Sequence, residues 1–222
     1  KRADGTVLRN DTGVFEGGEI SMYYDPMIAK LCAWAPGQGA EARLKAVDAM
    51  AAALDDFEVE GIGHNLPFLS AVMQQDRFRE GRLTTAYIAE EFPQGFAGVE
   101  PSDGEARTLA AVAAFANLRA QKRAVLISGV LANHPRAVGS EWVVTLDGRR
   151  FEVAVREDGG ATSVSFGEGK PVKVRSDWLP GRPHAHFEVD GQIAGVKLSS
   201  YGTGHRLRWR GMDLVVNVRS RR

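Results

Sequence analysis

The stretch Trp142-Val143-Val144-Thr145-Leu146-Asp147-Gly148-Arg149-Arg150-Phe151-Glu152-Val153-Ala154-Val155-Arg156 decides the fold of the second half of the chain. Trp142, Val144 and Leu146 alternate with Val143 and Thr145; beyond Asp147-Gly148, Phe151, Val153 and Val155 alternate with Glu152, Ala154 and Arg156. Period-two alternation marks a strand with one buried face, and Asp-Gly between two such runs marks a tight hairpin. The rhythm continues in Val172 and Val174, Phe187 and Val189, Val196 and Leu198, Leu207 and Trp209, and Leu214, Val216 and Val218. Further turn signals stand at Asp158-Gly159-Gly160, Gly167-Glu168-Gly169, Pro180-Gly181, Asp190-Gly191, Gly202-Thr203-Gly204 and Arg210-Gly211. With Asp147-Gly148 these seven turns divide eight strands. Short links favour an up-and-down antiparallel order, and about eight strands close into a small barrel with no free edge.

Ahead of the strands, Ser102 and Glu105 form a capping box and open a helix. Thr108 to Leu118 contains no charged residue, and Leu109, Val112, Phe115 and Leu118 spread over more than one face. A helix that is apolar nearly all round is buried nearly all round, so its expected place is inside the barrel. Arg119, Lys122 and Arg123 follow at the negative end of the helix dipole. Pro93 to Pro101 has no period and reads as a linker.

The first half reads differently. Gly13 to Trp34 is expected to be extended, with a turn at Glu16-Gly17-Gly18. Leu44, Val47, Met50 and Leu54 recur at helical spacing, with Glu41 and Lys45 one turn apart on the wet face. Asn65 stands at an N-cap position with Pro67 in the first turn, and Thr84 or Thr85 is a candidate cap for a short helix ending near Phe92. No complete core is visible here, so this half reads as the closing part of a larger α+β domain. The expected division is 1–92, a linker over 93–102, and 103–222.

Composition narrows the function. The 222 residues, 44% apolar and 25% charged, suffice for one large domain or two small ones. No apolar run approaches the roughly 18 residues of a membrane span, and Lys1-Arg2-Ala3-Asp4 lacks a signal-peptide layout. Cys32 is the single cysteine, which excludes an internal disulfide and suits a reducing compartment. Balanced charge, 28 of each sign, gives no global field toward nucleic acid or anionic lipid. Arg206, Arg208, Arg210, Arg219, Arg221 and Arg222 read as the solvated face of a sheet; nucleic-acid binding would need exposed aromatics among them, and Trp209 falls on the inward phase. There is no phosphate loop, nucleophile motif or metal-ligand cluster. His184 and His186 share one side of a strand but read as a polar outer face, and His64 as a turn residue, so no metal site is expected.

Tyr23-Tyr24-Asp25-Pro26-Met27-Ile28-Ala29-Lys30-Leu31 resembles a signature of the carboxyl-terminal domain of biotin carboxylase, an ATP-grasp enzyme. Gly61-Ile62-Gly63-His64-Asn65 and Phe78-Arg79-Glu80-Gly81 with Thr84-Thr85 extend the resemblance over about the first 92 residues. The resemblance implies that Arg9 lines the active site, acting on bicarbonate and the biotin enolate. A permanently charged planar guanidinium suits that work, because it binds a carboxylate-like anion bidentately and stabilises a developing oxyanion. For Asp25 and Lys30 a structural role outweighs a catalytic one, Tyr23 and Tyr24 are expected to pack, and Trp34 lies where some members of the family form a subunit contact.

Residues from about Asp103 to Arg219, with Leu118-Arg119-Ala120-Gln121 and Asp177-Trp178, resemble the BT domain of the biotin-dependent acyl-CoA carboxylases, the propionyl-CoA type above all. In that family this domain is an eight-stranded antiparallel barrel around a long helix and joins biotin carboxylase to carboxyltransferase. The resemblance implies an α-subunit piece of α+β class, with ATP-binding lobes and the biotinyl domain, marked by Ala-Met-Lys-Met, lying outside it. Biotin, ATP, Mg2+ and bicarbonate belong to the complete enzyme, and none is expected on this piece alone. Expected partners are the carboxyltransferase β subunit, the biotinyl carrier domain and an α6β6 assembly, in a bacterial cytoplasm or a mitochondrial matrix; nucleic acid and membranes are not expected. Val125 to Val138 is rich in apolar residues for a loop, so Ile127, Val130 and Leu131 are the candidate partner contacts, or else pack on the barrel rim. The acyl-CoA is not readable, so methylcrotonyl-CoA or broad acyl-CoA carboxylation stays open. So does a non-enzyme, a barrel carrying a small ligand.

Overall fold

A computed structural model describes residues 2–20, 23, 27–126 and 137–221, and the chain divides into two compact units, Lys1–Ala97 and Gly98–Arg222. The first is built on a two-stranded antiparallel ribbon, β1 (Val7–Thr12) and β2 (Ala29–Trp34), in the register Val7↔Trp34, Arg9↔Cys32, Asp11↔Lys30 and Thr12↔Ala29. The pair thus begins earlier than the Gly13 start expected from sequence. Between the strands, the Gly18 N–H donates to the Phe15 carbonyl at 2.9 Å and Gly17 takes φ 76°, which makes the expected turn. Four helices follow: α1 (Gly39–Asp56), α2 (Leu66–Gln74), α3 (Asp76–Arg79) and α4 (Tyr87–Glu91).

Glu41 and Lys45 of α1 form the expected ion pair at 2.7 Å. The buried face of α1 is Val47, Ala49, Ala53 and Leu54, whereas Leu44 faces out, so the apolar stripe is narrower than its spacing suggested. Asn65 does occupy the N-cap of α2, with Pro67 in the first turn, but its side chain makes no capping bond. The expected threonine cap is not found: Ala86 is the N-cap of α4, and Thr84 instead offers its backbone carbonyl to the Tyr87 N–H at 3.1 Å. The Tyr87 hydroxyl donates to Gln75 Oε1, and Arg77 pairs with both Glu90 and Glu91, so tertiary contacts fix α4 in place of a local cap.

The second unit opens with α5 (Asp103–Val125), whose capping box is present as read: Ser102 Oγ accepts from the Glu105 N–H, and the Glu105 carboxylate accepts from the Ser102 N–H at 3.1 Å. Eight strands follow: β3 (Glu141–Leu146), β4 (Arg149–Asp158), β5 (Ala161–Ser165), β6 (Val172–Arg175), β7 (His184–Val189), β8 (Gln192–Tyr201), β9 (Gly204–Trp209) and β10 (Met212–Ser220). Consecutive strands pair antiparallel and β10 returns to β3, so the sheet closes and no edge is left unpaired. The hairpins at Asp147-Gly148, Asp190-Gly191 and Arg210-Gly211 place both residues at positive φ, the geometry whose twist matches that of the strands. The two aspartates do more than turn the chain: Asp147 accepts from the Val215 N–H and Asp190 from the Lys173 N–H, each at 2.9 Å, stitching one hairpin to the next.

Ala106 and Leu109 to Ala116 of α5 are almost wholly buried, on all sides of the helix. They form one apolar cluster with inward residues of every strand, among them Trp142, Val155, Val164, Val174, Phe187, Val196, Leu207 and Val216. Phe115 meets Phe187 edge to face, with ring centroids 5.8 Å apart. Both ends of the helix are tied down. Arg107 donates to the Lys170 carbonyl at 2.8 Å near the start; Arg123 donates to the Pro180 carbonyl at 2.9 Å and Lys122 pairs with Glu157 near the end.

Candidate functional site

Arg9 sits on β1 with Asp11 two residues on, and side chains two apart on a strand share a face. The two form a bidentate pair: Nε to Oδ1 at 2.9 Å and Nη2 to Oδ2 at 3.0 Å. Across the ribbon, Cys32 lies opposite Arg9 with Sγ 3.9 Å from Nη2, and Lys30 lies opposite Asp11. The Asp11 hydrogen bond, its charge and the neighbouring Cys32 raise the pKa of Arg9 above its ordinary value, so the guanidinium stays protonated. Its side chain is 70% exposed, open to an anion. Asp11 was not singled out in the sequence; the signal, a carboxylate two positions from a key cation, depends on knowing that the strand starts at Val7.

The signature segment is met in part. Tyr24 and Asp25 lie outside the described residues. Tyr23 is 92% exposed, which corrects the expectation that it packs. Met27, Ile28 and Ala29 line a cleft of about 490 Å3 together with Phe57, Val59 and Gly63-His64-Asn65-Leu66. Two motifs more than thirty residues apart in the chain therefore face one space, and Thr12↔Ala29 pairing joins its wall to the ribbon that carries Arg9. His64 occupies the loop ahead of α2, as expected.

The third motif holds the unit together. Arg43 donates to the Phe78 carbonyl and lies over the Phe78 ring, 5.1 Å from its centroid. Arg79 pairs with Asp48 at 2.7 Å, and Gly81 at φ 75° brings the chain against the Arg43 side chain. Trp34, at the outer end of the ribbon, is 58% exposed.

In the second unit, the His184 and His186 rings lie edge to face with centroids 5.1 Å apart on the outer side of β7. The candidate partner contacts Ile127, Val130 and Leu131 lie outside the described residues. What flanks them is described: Leu126 is strongly exposed, and Ala120, Gln121, Ala124, Val125, Ala137 and Val138 line a cleft of about 280 Å3 where α5 ends.

Comparison with known families matches these units in order. The biotin carboxylase C-terminal domain matches residues 1–90, and the propionyl-coenzyme A carboxylase BT domain matches residues 109–222. This chain belongs to the propionyl-CoA carboxylase α-chain family. It is 53% identical over 216 residues to the propionyl-CoA carboxylase alpha chain of Ruegeria pomeroyi, covering 97% of this chain and 31% of that protein. It is 40% identical over 235 residues to the mitochondrial propionyl-CoA carboxylase alpha chain of Caenorhabditis elegans, covering 98% and 31%. To the mitochondrial alpha chain of Homo sapiens it is 30% identical over 214 residues, covering 95% and 29%. The chain thus spans about a third of the length of these carboxylase relatives and carries their biotin carboxylase C-terminal and BT regions.

Proposed function

We propose that this chain serves a propionyl-CoA carboxylase in two ways: its first unit contributes Arg9 to the carboxylation of biotin, and its second unit docks the carboxyltransferase β subunit. The observation that carries the reading is the order of the two matched regions on one chain, a carboxylase part followed by a coupling part. In the complete enzyme, MgATP and bicarbonate carboxylate biotin on the carrier domain, and the β subunit passes the carboxyl group to propionyl-CoA to give methylmalonyl-CoA.

Arg9 suits bicarbonate and the biotin enolate because its exposed guanidinium keeps N–H donors that Asp11 does not occupy. ATP and Mg2+ are assigned to the rest of the complete subunit, since this sequence has no phosphate-cradling loop. The division follows the sequence reading: carboxylase part to 92, linker 93–102, coupling domain 103–222, the domain's barrel wrapped around α5. A barrel filled by its own helix leaves a small ligand no lumen, which favours coupling over carriage. Its outer surface then carries the use, and the exposed Leu126 beside the α5 cleft supports contact through Ile127, Val130 and Leu131. The carrier domain, an α6β6 assembly, and a bacterial cytoplasmic or mitochondrial matrix setting complete the reading; methylcrotonyl-CoA or another acyl-CoA is the alternative substrate.

One experiment tests both halves. In the complete subunit, Arg9→Ala is expected to slow biotin carboxylation at least about tenfold with an unchanged melting temperature, because lost charge-stabilising donors act on the transition state. The Ile127→Asp/Leu131→Asp variant is expected to keep biotin carboxylation and lose capture of the β subunit. Normal turnover in the first variant removes Arg9 from the site; equal capture by the second removes Ile127 and Leu131 from the partner contact.

A further inference from the structure

We infer that Asp11 is the positioning residue for Arg9, an inference that rests on the assignment of Arg9 to the carboxylation site. The pair is bonded along one edge only. Asp11 takes the Nε hydrogen and one hydrogen of Nη2, at 2.9 and 3.0 Å. A guanidinium has five N–H donors, so three stay outside the Asp11 pair: both hydrogens of Nη1, and the second of Nη2, which meets Cys32 Sγ at 3.9 Å in a long, weak bond. One hydrogen from each nitrogen makes the Nη1/Nη2 edge that grips a carboxylate or bicarbonate with two parallel bonds. Cys32, paired with Arg9 across the ribbon, takes that long bond from Nη2 and adds little to holding the head group, so Asp11 is its main anchor.

Stability gives the pair no reason to exist. Both side chains are largely exposed, and such pairs contribute little to folding. Orientation does give a reason: an exposed arginine otherwise samples many rotamers, and a reacting anion needs its donors in one place. A carboxylate beside an anion site also weakens the field that draws the anion in. Lys30 answers this cost. It lies opposite Asp11 on the same face of the ribbon and makes no ion pair among the described residues, so two cations and one carboxylate leave the face positive.

The arrangement predicts an uncommon kinetic signature. Asp11→Asn frees the guanidinium but removes the repelling charge, so kcat falls while KM for bicarbonate stays level or drops; a merely structural residue would not separate the two in that sense. The test uses the complete subunit and follows ATP- and bicarbonate-dependent biotin carboxylation for Arg9→Ala, Asp11→Asn and the double variant, with melting temperatures alongside. Expected is a fall in kcat of about tenfold for Asp11→Asn, no rise in KM for bicarbonate, unchanged melting, and a double variant no slower than Arg9→Ala alone. A kcat loss below about threefold, a rise in KM, or an equal slowing by Asp11→Asn in the Arg9→Ala background overturns the inference. A fast Arg9→Ala enzyme instead sinks the assignment of Arg9, and Asp11 with it; a slow Arg9→Ala with a fast Asp11→Asn sinks the positioning role alone.

Discussion

Three tryptophans of the second unit, Trp142, Trp178 and Trp209, are buried, whereas Trp34 of the first unit stands mostly in solvent. The contrast holds for the apolar side chains at large. The first unit buries mainly small ones, Ala35, Val47, Ala49, Ala53, Ala71 and Val72 with Leu54 and Tyr87, and leaves Phe15, Ile20, Met27, Ile62 and Ile88 on its surface. The second closes its sheet and packs its large side chains around a helix whose middle, Leu109 to Ala116, has no wet face. A closed core stabilises a domain by itself, roughly 25 cal/mol per Å2 of apolar surface removed from water; an exposed apolar surface marks a place for contact. The second unit thus completes its own core while still exposing Leu126, Leu179, Ile193 and Tyr201, whereas the first leaves more of its large apolar side chains in solvent than it buries.

The largest expected break in this comparison is Phe115→Asp. Phe115 is 1% exposed and set edge to face on Phe187, so a carboxylate there is cut off from water, and although the Arg119 guanidinium lies 5.1 Å from the ring centroid, pairing with it would still bury both charges in the apolar core. The cost, above about 4 kcal/mol, rivals the whole stability of an ordinary domain. The second unit is expected to unfold, seen as a red shift of its buried tryptophans, while Arg119→Asp near the end of the helix is milder. Equal melting of the two variants would put the helix outside the barrel.

A smaller effect separates two glycines that look alike in sequence. Gly204 does not need a left-handed backbone; a Cβ there would stand 2.1 Å from the Val216 carbonyl oxygen and 2.6 Å from Asn217 Oδ1, so the adjoining strand must move. Gly17 takes φ 76° in open space. Gly204→Ala is expected to lower stability by about 3 kcal/mol, read as a urea midpoint from tryptophan emission. Gly17→Ala is expected to cost about 1 kcal/mol, read by far-ultraviolet circular dichroism. Equal costs would mean that the close approach in the second unit relaxes freely.

What was legible follows the physics of each half. Inward residues such as Val144, Val174, Phe187 and Val216 were readable because a strand with one wet face writes its burial in period two. β5 (Ala161–Ser165) was not readable that way: Ala161 and Thr162 are both buried, and only the turns on either side marked it as a strand. In the first unit local signals competed with tertiary ones. Thr84 and Thr85 looked like caps, but Gln75, Arg77, Glu90 and Glu91 hold α4 by contacts distant in sequence. Arg9 was legible from its motif, whereas Asp11 was not, because a partner two residues on has meaning only once the strand is known to begin at Val7.

The smallest effect sharpens the comparison through pH. His205 lies on the inward phase of β9, two residues before Leu207, with Ser200 and Val216 as strand neighbours, and burial lowers its pKa from the ordinary 6.5. Below pH 6.5 the unfolded chain therefore takes up a proton that the folded chain resists, so stability is fully present above that pH and falls as the pH drops through it. The first unit responds lower on the scale. Asp4, held down by the Thr6 hydroxyl, and Glu41, held down by Lys45, favour folding above 3.8 and 4.5 respectively, and their contribution disappears as the pH falls through their depressed values. Between pH 7 and 5.5 the second unit, followed by tryptophan emission, is thus expected to lose stability, and His205→Gln should flatten that slope without touching the acid limb below pH 4.5. A variant with the parent's slope between pH 7 and 5.5 would show that the imidazole reaches water in the folded barrel and that the rim at β9 is more open than its packing implies.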